Sequence, residues 1–227
     1  MKITHLYQSG FLVELEHCLL LFDHYKGTLP PLPAEKPLYV LVSHLHYDHY
    51  NPSIWELDSR HKTVYYLLDE GIHPPAGHEV LLVKPHQHYS WHGLELDTLK
   101  STDEGCAFVV TVEGITFYHA GDLNWWHWEG EPDAFNIAQK ADYQAELARI
   151  AGRLINVAFV PLDPRQEDSA SWGMAEFLRQ CPDCKHIFPM HYQDNRDAML
   201  AYLNLPVFDP VRERIHTQEQ WDSKTSL

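Results

Sequence analysis

Four residues able to bind a metal ion fall within six positions: His44, His46, Asp48 and His49. The five residues before Ser43, Leu-Tyr-Val-Leu-Val at 38–42, are apolar and have the length and composition of a buried strand. Asn51-Pro52 follows directly and reads as a helix start. The cluster is therefore expected on a loop at the C-terminal end of a buried strand, held between two rigid elements. His44 and His46 are two apart, so on extended backbone both imidazoles point to one side. Asp48 and His49 follow a turn and point elsewhere, so one segment can serve two adjacent ions. Imidazole and carboxylate donors suit Zn, Mn or Fe(II) better than Ca or Mg. The competing reading is a solvated His-rich loop, since the chain holds 17 His. The placement of His-x-His-x-Asp-His at a strand end argues against it.

The chain is 227 residues long, enough for one large domain spanning 1–227 with a substantial core. Its formal net charge of −15 disfavours a nucleic-acid groove, which needs a basic face. The N-terminus lacks a signal-peptide profile, and the apolar stretch 18–22 is too short to span a membrane. Four Cys make no convincing disulfide framework at this length. A cytoplasmic protein without membrane attachment is expected.

Residues 2–8, 11–16 and 18–23 read as successive strands, the last ending in Asp23. A Pro- and Gly-rich loop covers 26–37, and a short helix is expected over 52–60. Further strands are expected at 63–68, 79–83, 106–112, 115–119, 157–160 and 185–190. His86, His88 and His92 suit a solvated edge strand better than a second metal cluster. The clearest helix covers 131–154, with Ala134, Ala138, Ala141, Ala145 and Ala148 at helical spacing beside Phe135, Leu147 and Ile150. It reads as a packing helix on the outside of a sheet. Cys181-Pro-Asp-Cys184 has no second C-x-x-C partner and reads as incidental thiols. A helix near 168–180 and one over 195–203, capped by Asp194, complete the pattern. Beyond 210 the tail is polar, although Val207, Phe208 and Ile215 point to docking on the core.

The segment His44-Leu-His46-Tyr-Asp48-His49 resembles the signature of the metallo-β-lactamase superfamily without substitution. The likeness is greatest to the branch of small metal-dependent hydrolases that includes ascorbate-6-phosphate lactonase. It implies a mixed α/β fold, a four-layer αββα sandwich of two mixed sheets with helices outside. It also implies that Asp23 supports the metal site by hydrogen-bonding a ligand His, and that Asp122, after Gly121, bridges two metals. His191, in Pro-Met-His at a strand end, would complete the second metal with Asp48 and His49. The family's third His is missing here. The corresponding turn is Lys-Ser-Thr-Asp-Glu-Gly at 100–105, so Asp103, or Glu104 one residue on, would take its place beside His44 and His46. An anionic ligand there would shift preference toward Mn or Fe(II) and raise the pKa of bound water.

The resemblance thus implies a metal-dependent hydrolase with two divalent ions, Zn first and Mn or Fe as alternatives. A metal-bound hydroxide would attack a small-molecule ester, lactone or phosphodiester, with Asp48 and Asp122 central to catalysis. Asn124, Trp125, Asp163 and Arg165 are candidate substrate contacts, and the Trp125-Trp126-His127-Trp128 run could wall the pocket. For Asp163 and Arg165, an ion pair bracing a loop is the equal alternative. Two other readings stay open: an iron-dependent oxidoreductase on the same fold, and a catalytically degenerate metal- or metabolite-binding protein. Diiron flavoproteins of the fold carry Glu at the position of His46, which argues against that subgroup.

Overall fold

The apolar run Leu38–Val42 forms a strand buried at every position, and a sheet grows on both sides of it. The computed structural model describes residues 1–224. Its strands in chain order are β1 (Lys2–Tyr7), β2 (Gly10–Glu14), β3 (Leu19–Phe22), β4 (Leu38–Val42), β5 (Val64–Asp69) and β6 (Val80–Val83), then β7 (His88–Trp91), β8 (Leu94–Lys100), β9 (Cys106–Val112), β10 (Ile115–His119), β11 (Val157–Pro161), β12 (His186–Met190) and β13 (Gln220–Asp222). The α-helices are α1 (Leu57–Arg60), α2 (Asp133–Ala148), α3 (Trp172–Gln180) and α4 (Arg196–Leu203). The chain divides into two compact units, residues 1–84 with the segment from 218 onward, and residues 85–217.

In the first unit the sheet order is β13-β1-β2-β3-β4-β5-β6. β3 to β6 run parallel, while β1, β2 and β13 pair antiparallel. Parallel strands buried on both faces read as continuous apolar runs, as β3 and β4 do. Leu19 and Leu21, Leu38 and Val40, Tyr66 and Leu68 form one core face, with Ile54 and Leu57 laid over it. The expected helix at 52–60 is a 3₁₀ turn, Pro52–Glu56, running into the single turn of α1. Asn51 caps it by accepting from the Ser53 N–H.

In the second unit the order is β12-β11-β10-β9-β8-β7, antiparallel from β7 to β10 and parallel from β10 to β12. α2 is shorter than the sequence pattern suggests and buries a different face. Ala134, Ala138, Ala141, Ala145 and Ala148 are exposed, whereas Tyr143, Glu146 and Leu147 are buried. The Tyr143 hydroxyl donates to the Gly173 carbonyl at 2.8 Å, tying α2 to α3. Glu146 accepts from the Lys100 N–H at 3.0 Å and pairs with His86 at 2.8 Å. A large aromatic and a satisfied carboxylate fill the space between helix and sheet better than a row of methyl groups. Asp194 does not cap α4, whose N-cap is Asn195 without a side-chain cap bond.

The histidines of 86–92 sit at an edge strand. His88 pairs with Asp97 and Glu95, and His86 with Glu146. Burial pushes the Cys181 and Cys184 thiols up to about 11 and 12, so neither is poised for thiolate chemistry. No helix among the described residues is long and apolar enough to cross a membrane. Therefore two mixed sheets with helices make the mixed α/β class expected. Strand β13 was not legible in the sequence. Three residues carry no readable period, yet Trp221 lies opposite Ile3 and is buried.

Trp221→Ala should cost about 3–5 kcal/mol of unfolding free energy, as expected for emptying a buried Trp site. Urea unfolding checks this, and a loss below 1 kcal/mol by the same scale would mean β13 contributes little. A second expectation concerns acid. Burial, with His186 3.0 Å away, holds the His216 pKa down at about 4, against 6.5 when unexposed to such surroundings. The unfolded chain then binds the extra proton first, so stability falls as pH drops from about 6.5 towards 4. The loss of Tm between pH 7 and 5 should be smaller in His216→Gln; an identical loss would remove His216 as its source.

Candidate metal centre

In the first unit a group of candidate ligands is built on the ends of β3 and β4. Their register places Phe22 beside Leu41, so the residues just beyond, Asp23 and Ser43, share one sheet edge. Asp23 adopts a φ of 40°, and its fully buried carboxylate turns toward Ser43. Oδ1 accepts from the Ser43 N–H at 2.7 Å. Oδ2 accepts from the Ser43 hydroxyl at 2.6 Å and from His49 Nδ1 at 2.7 Å.

These contacts decide the tautomers. The carboxylate only accepts, so His49 carries its proton on Nδ1. The single hydroxyl proton of Ser43 goes to Asp23, so Ser43 Oγ accepts from His44 Nδ1, 2.9 Å away. Both rings therefore present Nε2 as a lone pair, the form a metal ligand needs. His44 Nε2 lies 3.0 Å from His46 Nδ1. Two nitrogens each at about 2.05 Å from a tetrahedral ion are about 3.3 Å apart, so this pair is close to the spacing of shared ligands. The turn between His46 and His49 is closed by the His49 N–H donating to the His46 carbonyl at 3.0 Å. Leu45 and Tyr47 alternate outward, Tyr47 being 80 % exposed. Asp48 accepts from the Gln8 side-chain amide at 3.4 Å.

The second unit repeats the device. β11 and β12 are parallel, with Pro161 beside Met190, so Asp163 and His191 emerge at one edge. His191 Nδ1 donates to Asp163 Oδ2 at 3.0 Å, again leaving Nε2 as the lone pair. That Nε2 lies 3.3 Å from Asp122 Oδ1. Two acceptors at this distance, both buried, call for a cation between them, either a metal ion or a second proton on the ring. Burial alone would raise the Asp163 pKa, but the bonds from His191 and Arg165 outweigh it and hold it below the usual range. Gly121 has a φ of 51°, which a side chain would strain, and this turn aims Asp122.

Asp122, His191 and Asp103 line a cavity of about 250 Å³ together with Trp126, Trp128 and Arg165. Asp103 sits in a turn closed by the Ser101 N–H to Gly105 carbonyl bond. Asp103 and Glu104 are both exposed, and of the two only Asp103 is part of that lining. Asn124 is buried, donates to Gln166 at 2.9 Å, and does not line the cavity. Trp125 lines a different groove. Arg165 grips Asp163 through Nε and Nη2, so Asp163 braces both the loop and His191. Sequence reasoning missed Ser43, and it missed Trp126 and Trp128 individually. Trp126 donates to the Asp122 carbonyl at 2.9 Å and stacks on Trp128. An alternating pattern within 125–128 was the available signal.

Residues 2–133 match the family described as "Beta-lactamase superfamily domain". The chain belongs to the metallo-β-lactamase superfamily. A protein of Pelotomaculum thermopropionicum named "UPF0173 metal-dependent hydrolase" is 30% identical over 141 residues, 54% of this chain and 62% of that protein. The chain thus spans less than two thirds of that relative's length. The metallo-β-lactamase fold protein YhfI of Bacillus subtilis aligns with a TM-score of 0.67 at 14% identity, covering 97% of this chain and 99% of its own. CmlA, a diiron β-hydroxylase of Streptomyces venezuelae, aligns with a TM-score of 0.62 at 12% identity, covering 97% of this chain and 53% of its own. Identities this low show the fold alone.

Asp23→Asn and Asp163→Asn should each weaken metal binding about 10- to 100-fold, the usual effect of losing a carboxylate that orients a ligand His. Chelator competition on protein with checked thermal stability measures it. Unchanged affinity in both would mean that neither imidazole is a ligand.

Proposed function

We propose that this chain is a metal-dependent hydrolase of a small-molecule ester, lactone or phosphodiester. The observation that carries the reading is the repeated carboxylate–imidazole pair. Asp23 holds His49, and Asp163 holds His191, each through Nδ1 and each at the end of a parallel strand pair. Such pairs fix ring orientation and raise ligand basicity at metal sites. The donor set fits two divalent ions, Zn first and Mn or Fe as alternatives. Following the family pattern, His44, His46 and Asp103 would hold one, Asp48, His49 and His191 the other, and Asp122 would bridge. Ions bound there would lower the pKa of water and polarise the scissile carbonyl or phosphoryl oxygen.

The chain's own residues do the rest. Ser43 and Asp23 keep His44 and His49 in the ligand tautomer. Trp126 and Trp128 wall the cavity beside Asp122. No Ser or Cys nucleophile is needed. The −15 charge supports a small substrate over nucleic acid, and the likeness to the branch of small hydrolases favours a lactone or phosphodiester.

Protein purified without chelator should carry about two equivalents of metal by elemental mass spectrometry, as a two-metal site requires. Asp122→Ala should abolish metal-dependent turnover across a panel of nitrophenyl esters, lactones and phosphodiesters. Full activity in that variant would remove the bridging role. Iron as the dominant element, with oxygen consumption, would replace hydrolysis by the oxidative reading. Protein that holds no metal after reconstitution would replace it by a binding role.

A further inference from the structure

The loop after Asp122 sends its tryptophans to two places. Trp126 and Trp128 line the 250 Å³ cavity, whereas Trp125 lines a separate groove of about 810 Å³. That volume is within the roughly 300–1,000 Å³ of small-molecule sites. Trp125 and Trp172 form an aromatic corner, with ring centroids 5.3 Å apart and planes at 62°. Val207 adds apolar wall.

The groove is lined by three cations, Lys140, Arg179 and Arg214, and one carboxylate, Glu176. Lys140 Nζ stands 5.0 Å from the Trp125 ring. Arg214 is anchored by Nη1, which donates to the Pro182 and Cys184 carbonyls at 2.7 and 2.6 Å. That leaves three of its five N–H groups for other acceptors. Neither Lys140 nor Arg214 forms an ion pair among the described residues, although 32 carboxylates face only 17 cations in the chain. Arg179 also lines the groove, but Glu176 neutralises it through bonds of 2.8 and 2.5 Å. Finally, the Trp125 indole N–H is buried and has no hydrogen-bond partner.

We propose that this groove is a second binding site, distinct from the metal centre, for a small planar aromatic anion. The ring lies in the Trp125–Trp172 corner, and Lys140 and Arg214 supply the counter-charge. A flat ring suits an edge-to-face corner, and a cation over an indole favours an anionic partner held close by. A two-fold contact between copies through this face would set the same cationic rim against itself.

The test is titration of the full-length, metal-containing protein with naphthalene-2-sulfonate, followed by calorimetry and Trp fluorescence. Saturable one-to-one binding is expected, about tenfold weaker in Lys140→Gln and Arg214→Gln and for the neutral naphthalene-2-sulfonamide. Trp172→Leu should weaken both probes. His46→Ala, at the metal loop, should bind the sulfonate as the parent does. Should Arg214→Gln lose its fold through the broken backbone anchors, Lys140→Gln and the neutral probe decide. Equal binding of the two probes, or full affinity in Lys140→Gln, overturns the proposal. So does loss of binding in His46→Ala, which would place the probe at the metals. Dimers in sedimentation that Trp172→Leu dissolves, without probe binding, would assign the groove to a second copy and overturn it as well.

Discussion

The buried carboxylate of Asp23 is the interaction on which the centre depends. A carboxylate taken out of water is costly unless its lone pairs are filled. Here one backbone N–H, one hydroxyl and one imidazole N–H fill them. The same three bonds hold the start of the metal loop against β4, orient His49, and through Ser43 orient His44. The bonds that stabilise this edge are thus the same ones that orient the proposed ligands. The arrangement exists because β3 and β4 run parallel and end together. Parallel strands deliver their C-terminal ends to one edge, which is where α/β sheets place their sites.

The second unit reaches the same result with different residues. β11 and β12 are parallel, Asp163 follows the first and His191 the second. Both units also hold a non-Gly residue in the left-handed region at this edge, Asp23 at φ 40° and His191 at φ 64°. Backbone in this region is uncommon for such residues and concentrates at functional sites. Arg165 adds a bidentate grip on Asp163 and so keeps that carboxylate charged beside His191.

Local pattern carried much of this. The apolar runs that became β4, β9 and β11 and the His-x-His-x-Asp-His spacing were readable because each depends on neighbours in sequence. Other features depended on distant residues. The alanines of α2 look like a packing stripe, but Tyr143 and Glu146 are buried because Gly173, His86 and Lys100 offer them partners. Strand β13 exists because β1 has an edge to pair with. Asp163 read equally as a substrate contact or a loop brace; its bond to His191 spans 28 positions and leaves no local trace.

By itself the sequence determined which atoms can bind a metal and that four of them lie on one strand-end loop, because spacing along an extended chain sets side-chain direction. The family signature added Asp103, Asp122 and His191 to that set, with Asp23 as the carboxylate that orients a ligand His. Only the tertiary structure decided which nitrogen of each ring faces outward. That choice rests on what lies against Nδ1, and those partners arrive through strand register, 20 positions away for Asp23 and Ser43. The same is true of Trp125 and Trp126, adjacent in sequence yet lining different hollows, because each ring follows the packing around it and not its place in the chain.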